Sequence, residues 1–198
     1  MNFEMVMALS SALDAKDKYT AGHSRRVMEY AAGIARNMGV TEKEIERLKM
    51  SALLHDIGKI GVPDVILYKE TRVSDKEYAV IKKHPEVGAN ILKAIDAFKD
   101  LVPVVYHHHE RFDGMGYPKG LYGEQIPLYS RIIAVADSFD AMTSTRPYRK
   151  ALNSEAALLE IELNRGRQFD PTVSDIFLIR FSDILDDVLK NMEPEYII

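Results

Sequence analysis

The chain has 198 residues, 46% of them hydrophobic and 28% charged, with a formal net charge of -4 and no cysteine. That length supports one domain with a real core, and the composition excludes a disordered or fibrous chain. The missing cysteines exclude disulfides and thiolate metal sites, so any metal must be held by histidine, carboxylate or water, which fits a cytoplasmic protein.

The opening "MNFEMVMALSSALDAKDK" lacks the basic start and cleavage site of a signal peptide, and no apolar run approaches the length of a membrane span. Negative net charge argues against DNA or RNA as a partner, because polyanion binders carry a basic surface. A small anionic substrate at a locally positive site remains open.

Apolar residues recur at helical spacing along most of the chain. Val27, Tyr30, Ala31, Ile34 and Met38 form one stripe, closed by Gly39 as a helix stop. "TEKE" at 41–44 and "SDKE" at 74–77 read as capping boxes, in which a hydroxyl and a glutamate satisfy free amides at a helix start. The pattern predicts helices near residues 3–15, 21–38, 42–56, 75–82, 85–97, 100–110, 128–144, 154–164 and 172–190. The expected fold is all-α, a single domain over residues 1–198 with no internal repeat. An amphipathic first helix also offers a surface for a homodimer contact.

The chemistry-bearing residues sit at the boundaries of these helices. His23 opens one, His55 and Asp56 end another, His84 precedes Pro85 at a third, and His108 and His109 end a fourth beside a glycine-rich loop. In a regular helix the adjacent His55 and Asp56 would diverge by about 100° and need different partners, or different metals. Asp137 lies inside the apolar "RIIAVADSFDAM", where an unpaired carboxylate would cost several kcal/mol to bury. Five histidines and two aspartates are a suitable inventory for two divalent ions that share a carboxylate and leave positions open for water.

"YTAGHSRRV", "HDIGK", "HPEVG", "HHERFDGMGYP" and "ADSFDAMTSTRPYR" together resemble the HD-GYP branch of the HD phosphohydrolases, in the family's order and over about Asp14 to Pro171. The resemblance implies a helical bundle with a binuclear iron or manganese centre, zinc, nickel and cobalt being other candidates, that hydrolyses cyclic di-GMP. It makes His23, His55, Asp56, His84, His108, His109 and Asp137 the ligands, with Asp56 bridging. A hydroxide bridging the ions is the expected nucleophile. Where some relatives hold a third metal through a glutamate four residues before the first histidine, this chain has Tyr19. That departure favours two metals and biases the product towards linear pGpG over GMP, although Asp17 could still reach the site.

Further residues are candidates for substrate roles. Lys59, three residues after Asp56, would bring an ammonium beside the metals if the helical turn continued. Arg146 and Arg149, with Lys150 behind them, suit the second phosphate of a diester. Gly116, Tyr117 and Pro118 in the glycine loop read either as substrate or protein-docking contacts, or as a turn held by local hydrogen bonds of Glu110 and Asp113. His107 falls outside the "HHE" pattern and reads as partly exposed. Arg25 and Arg26 read as a solvated helix face. Two other functions compete: an HD hydrolase acting on dNTPs or a guanosine alarmone, which the "GYP" loop and "RPYR" disfavour, and a catalytically idle cyclic di-GMP receptor or docking module, which should show a damaged ligand set.

Overall fold

The structure, a computed structural model, describes residues 3–16, 22–69, 71–145 and 150–192. Ten α-helices follow one another there: α1 (Phe3–Lys16), α2 (His23–Asn37), α3 (Glu42–Leu54), α4 (Asp64–Leu67), α5 (Asp75–Ile81), α6 (His84–Lys93), α7 (Val102–His107), α8 (Leu128–Thr143), α9 (Ser154–Leu163) and α10 (Pro171–Asn191). No strand occurs among the described residues, only the isolated bridges Asp113–Tyr122 and Arg165–Phe169. The all-α expectation holds, as do the main helices.

Both capping boxes are present. The Glu44 carboxylate accepts from the Thr41 hydroxyl at 2.6 Å, and that of Glu77 from the Ser74 amide at 2.7 Å. Gly39 ends α2 with φ 76°, the left-handed conformation that favours glycine after a helix.

The bundle is organised around α2, which packs on α3, α8 and α10. Its stripe Val27, Tyr30, Ala31 and Ile34 is buried in one continuous core, each large apolar side chain contributing about 1.5–3 kcal/mol. Tyr30, Phe139 and Phe177 meet edge to face, with Tyr30 5.2 Å from Phe139 and Phe139 5.1 Å from Phe177. These aromatic contacts hold α2, α8 and α10 together.

Three departures concern the site. The helix expected over 42–56 stops at Leu54, and a 3₁₀ turn over Ile57–Gly61 follows. The stretch expected as helix to residue 97 ends at Lys93, with a second 3₁₀ turn over Asp96–Leu101. Arg26 is not on a solvated face; it is 7% exposed, because it turns inward to an acid on α8.

The first helix buries Val6 and Leu13 and leaves Phe3, Met5 and Leu9 exposed. No helix among the described residues is long and apolar enough to cross a membrane.

Candidate metal centre

Among the described residues two groups of potential ligand atoms form, the atoms of each within 4.8 Å of one another, and Asp56 belongs to both. One comprises Asp56, His84, His108 and His109; the other comprises His23, His55 and Asp56. The two oxygens of Asp56 face different ways. Oδ1 lies 3.2 Å from His84 Nε2 and 3.9 Å from His108 Nε2, whereas Oδ2 lies 3.3 Å from His55 Nε2. Asp137 approaches His23 Nε2 at 3.3 Å.

His55 and Asp56 therefore do not diverge to separate partners as a regular helix would require. Because α3 ends at Leu54, Asp56 leaves the helical conformation (φ -97°, ψ 7°) and its carboxylate folds back on the neighbouring ring. The turn also carries Gly58, which packs against the backbone of α6. A Cβ there would lie 1.8 Å from the His84 carbonyl oxygen, so the missing side chain lets the turn and the His84 helix close on each other.

The ring hydrogen bonds decide where the lone pairs point. Nδ1 of His55, His84 and His108 donates to the carbonyls of Ala52, Ile81 and Val105, at 2.6, 2.8 and 2.6 Å, each three residues upstream. A carbonyl only accepts, so Nδ1 carries the proton, and in the neutral ring Nε2 presents a lone pair. His84 Nε2 and His108 Nε2 nevertheless lie 3.2 Å apart. Among the described residues His55 Nε2 and Asp56 Oδ1 are buried with no hydrogen-bond partner, despite the ring and carboxylate atoms within 3.3 Å of them. Inward lone pairs and an unsatisfied carboxylate oxygen fit cation ligation, and the second-nitrogen bonds to backbone fix the rings as metal ligands require.

Electrostatics separate the two sets: His108 and His109 are lowered, whereas His23 and His55 are raised by the carboxylates beside them. Burial, reinforced by the neighbouring histidines, holds His108 well below the ordinary imidazole value, and burial with His84 brings His109 to about 3. These rings stay neutral and available as ligands. Burial opposes ionisation of Asp56, but Lys59, His55 and His84 outweigh it and hold the carboxyl well below its usual range. His23 behaves differently: burial lowers it, but hydrogen bonds to Asp137 and Asp140 dominate and push it up to about 9.

Lys59 reaches Asp56 although the helix does not continue; from the 3₁₀ turn its Nζ lies 2.6 Å from Oδ2. His107, 3.4 Å from Glu110, lies outside both ligand groups, as expected. In the glycine loop, the Glu110 carboxylate accepts from the amides of Lys119 and Leu121 at 2.7 and 3.1 Å, and Asp113 accepts from Arg111 and the Met115 amide. Gly116 packs on the backbone of Glu110 and Arg111, where a Cβ would come within 2.3 Å of the Arg111 nitrogen. Pro118 follows, half-buried. This arrangement places the Tyr117 ring against His109, stacked at 4.9 Å. The loop is thus both a locally bonded turn and a wall of the centre.

Lys150 is exposed. Arg146, Arg149, Tyr19 and Asp17 lie outside the described residues.

Sequence reasoning missed three residues. Asp140 is 1% exposed and bonds His23 Nδ1 at 2.7 Å; Arg26 bonds Asp140; and Asp14 of α1 accepts from Ser24 at 3.2 Å within electrostatic reach of His23 and His55. The cost of a carboxylate in an apolar helix, which singled out Asp137, applied equally to Asp140 one turn later.

A family model described as "HD domain" matches residues 7–173. The chain belongs to the HD domain family. Among relatives of this HD domain, a Xanthomonas campestris pv. campestris protein named cyclic di-GMP phosphodiesterase response regulator RpfG is 41% identical over 88% of the chain and 47% of its own length. A Thermotoga maritima protein named cyclic di-GMP phosphodiesterase is 39% identical over 93% and 50%. One from Vibrio cholerae named 3'3'-cGAMP-specific phosphodiesterase 3 is 41% identical over 84% and 36%. The chain thus spans about half the length, or less, of these relatives. A solved Vibrio cholerae cyclic GMP-AMP phosphodiesterase, V-cGAP3, shares the fold at TM-score 0.69 and 21% identity, covering 98% of this chain and 55% of that one. The HD-GYP resemblance read from the motifs is thereby borne out.

Proposed function

We propose that this HD domain is a metal-dependent phosphodiesterase that opens cyclic di-GMP to linear pGpG, with two iron or manganese ions at the Asp56 centre. The observation that carries the reading is the sharing of Asp56 between two histidine sets, each oxygen turned to a different set. Bound there, two divalent cations would supply Lewis acidity and make hydroxide available from water near neutral pH.

The residues divide the remaining work. His84, His108 and His109 would hold one ion and His23 and His55 the other, with Asp56 available to both and Asp137 beside His23. Hydrolysis adds water at phosphorus, breaks the bond to one ribose O3', and leaves that oxygen as a hydroxyl. Lys59, already drawn to Asp56, places an ammonium where negative charge grows on the phosphate or on the departing oxygen. Arg146 and Arg149 hold the second phosphate. Gly116, Tyr117 and Pro118 form the wall against which a base rests.

Anaerobic reconstitution with Fe(II) or Mn(II), followed by chromatography of products from cyclic di-GMP, 3'3'-cGAMP and a dNTP, tests this. The expected result is conversion of cyclic di-GMP to pGpG with slow further cleavage, abolished by Asp56→Ala. Preferred turnover of 3'3'-cGAMP would reassign the substrate, and turnover of the dNTP alone would overturn the reading.

A further inference from the structure

His55, His84 and His108 share one device, and His23 is held by another. Each of the first three takes its Nδ1 acceptor from the carbonyl three residues upstream. His23 is the first residue of α2, after the left-handed Gly22 (φ 72°), and takes its acceptor instead from a side chain on α8.

That side chain is Asp140. Its Oδ2 lies 2.7 Å from His23 Nδ1, and the carboxylate is pinned from behind by Arg26, Nε 2.5 Å from Oδ1 and Nη2 3.2 Å from Oδ2. Ser144 Oγ adds a contact at 3.4 Å. The pair is buried, Asp140 at 1% and Arg26 at 7% exposure, so neither charge is solvated on its own. At the other end of the ring, Asp137 stands 3.3 Å from Nε2. A cation can bind Nε2 only once the ring has given up a proton, and the two carboxylates then compete for the one that remains. If Nδ1 keeps it, Nε2 is a ligand; if Nε2 keeps it to satisfy Asp137, the ring cannot bind a cation through that atom.

We propose that Asp140, charge-balanced by Arg26, is the positioning residue that fixes His23 in its ligating tautomer and orientation, and so controls occupancy of the His23–His55–Asp56 set alone. The set with His84, His108 and His109 owes nothing to it, because the Nδ1 acceptors of His84 and His108 are backbone. The inference rests on the two-ion reading above.

The test is a calorimetric Mn(II) titration of the whole chain under anaerobic conditions, with bound metal counted. Wild type should take up two ions. Asp140→Asn should weaken one of them about 10–100-fold, the usual cost of losing a partner behind a ligand, and leave the other unchanged. In a His84→Ala background, where the remaining ion sits on the His23 side, the same change should weaken that ion by about the same 10–100-fold factor. Asp170→Asn is the control, because it breaks another ion pair made by a buried aspartate, Arg131–Asp170 at 2.5 Å, in which no histidine takes part. It should lower Tm but keep both ions. Should Asp140→Asn fail to fold, Arg26→Lys, which keeps the charge but loses the two-point grip, should weaken the same ion to a smaller degree.

Two ions of unchanged affinity in Asp140→Asn, or equal loss in Asp170→Asn, would overturn the positioning role while leaving the two-ion reading standing. Absence of any uptake by wild type would bring down both.

Discussion

His84 Nε2 and His108 Nε2 face each other across 3.2 Å, and each ring gives its Nδ1 proton to a backbone carbonyl, so two neutral rings meet there lone pair to lone pair. The arrangement is unfavourable without a cation and favourable with one. Loading with Mn(II) should therefore stabilise the fold by mass action, about 2.7 kcal/mol at free metal one hundred times the dissociation constant. Thermal unfolding with and without a chelator measures it. Equal Tm in both conditions would show that the lone pairs do not meet an ion.

The metal-free protein should lose stability as pH rises. His23 sits at about 9 when folded, above its ordinary 6.5, because Asp137 and Asp140 outweigh the burial that would lower it. A group raised on folding stabilises fully below its unfolded value, and that contribution fades as pH rises through the folded one. His55 shifts in the same direction, with Asp56 outweighing its burial. Urea midpoints of chelated protein should accordingly fall between about pH 6.5 and pH 9, and Asp137→Asn should flatten the slope. A midpoint that rises across this window would contradict the assignment of His23 as the protonated partner.

Gly58→Ala should damage the centre without touching a ligand. The new methyl would meet the His84 carbonyl and the Gly88 amide, both backbone, so α6 must move and carry His84 with it. Overpacking of this kind costs about 1–3 kcal/mol. Gly39→Ala is the comparison: it strains a left-handed residue but meets nothing within 4 Å. Both should lower Tm, while only Gly58→Ala should reduce metal content.

Glu110→Ala should free the glycine loop. It removes the acceptor for the amides of Lys119 and Leu121, at a cost of about 1–3 kcal/mol for groups left unsatisfied. Limited proteolysis should cut residues 111–121 faster than in wild type. An unchanged cleavage rate would mean that the loop is held by its contacts with the 164–170 turn, where Phe112 and Asp113 bond Gln168 and Arg167.

Lys59→Met should lower kcat by roughly 10²-fold or more, the usual effect of removing one group that stabilises transition-state charge. The ions should remain, because Lys59 touches Asp56 Oδ2 without being a ligand. Loss of metal in this variant would assign Lys59 a structural role.

The histidines were legible in the sequence because each stands beside a boundary signal: Gly22 before His23, Pro85 after His84, and the glycine loop after His109. Asp137 was legible from the cost of a carboxylate in an apolar helix. The convergence of His55 and Asp56 was not, because it depends on α3 ending at Leu54 instead of Asp56, and two residues of helix rotate a side chain by more than half a turn. Nor could the sequence show that the backbone of α6 passes against Gly58, or that Arg26 faces Asp140, since both are contacts between distant segments.

If two ions sharing Asp56 support hydrolysis of a cyclic dinucleotide, the rate of cyclic di-GMP opening should follow the number of Mn(II) ions bound per chain. The account predicts little turnover at one ion and a steep rise to pGpG formation as the second binds. Full activity in chelated protein, or none with two ions bound, would contradict it.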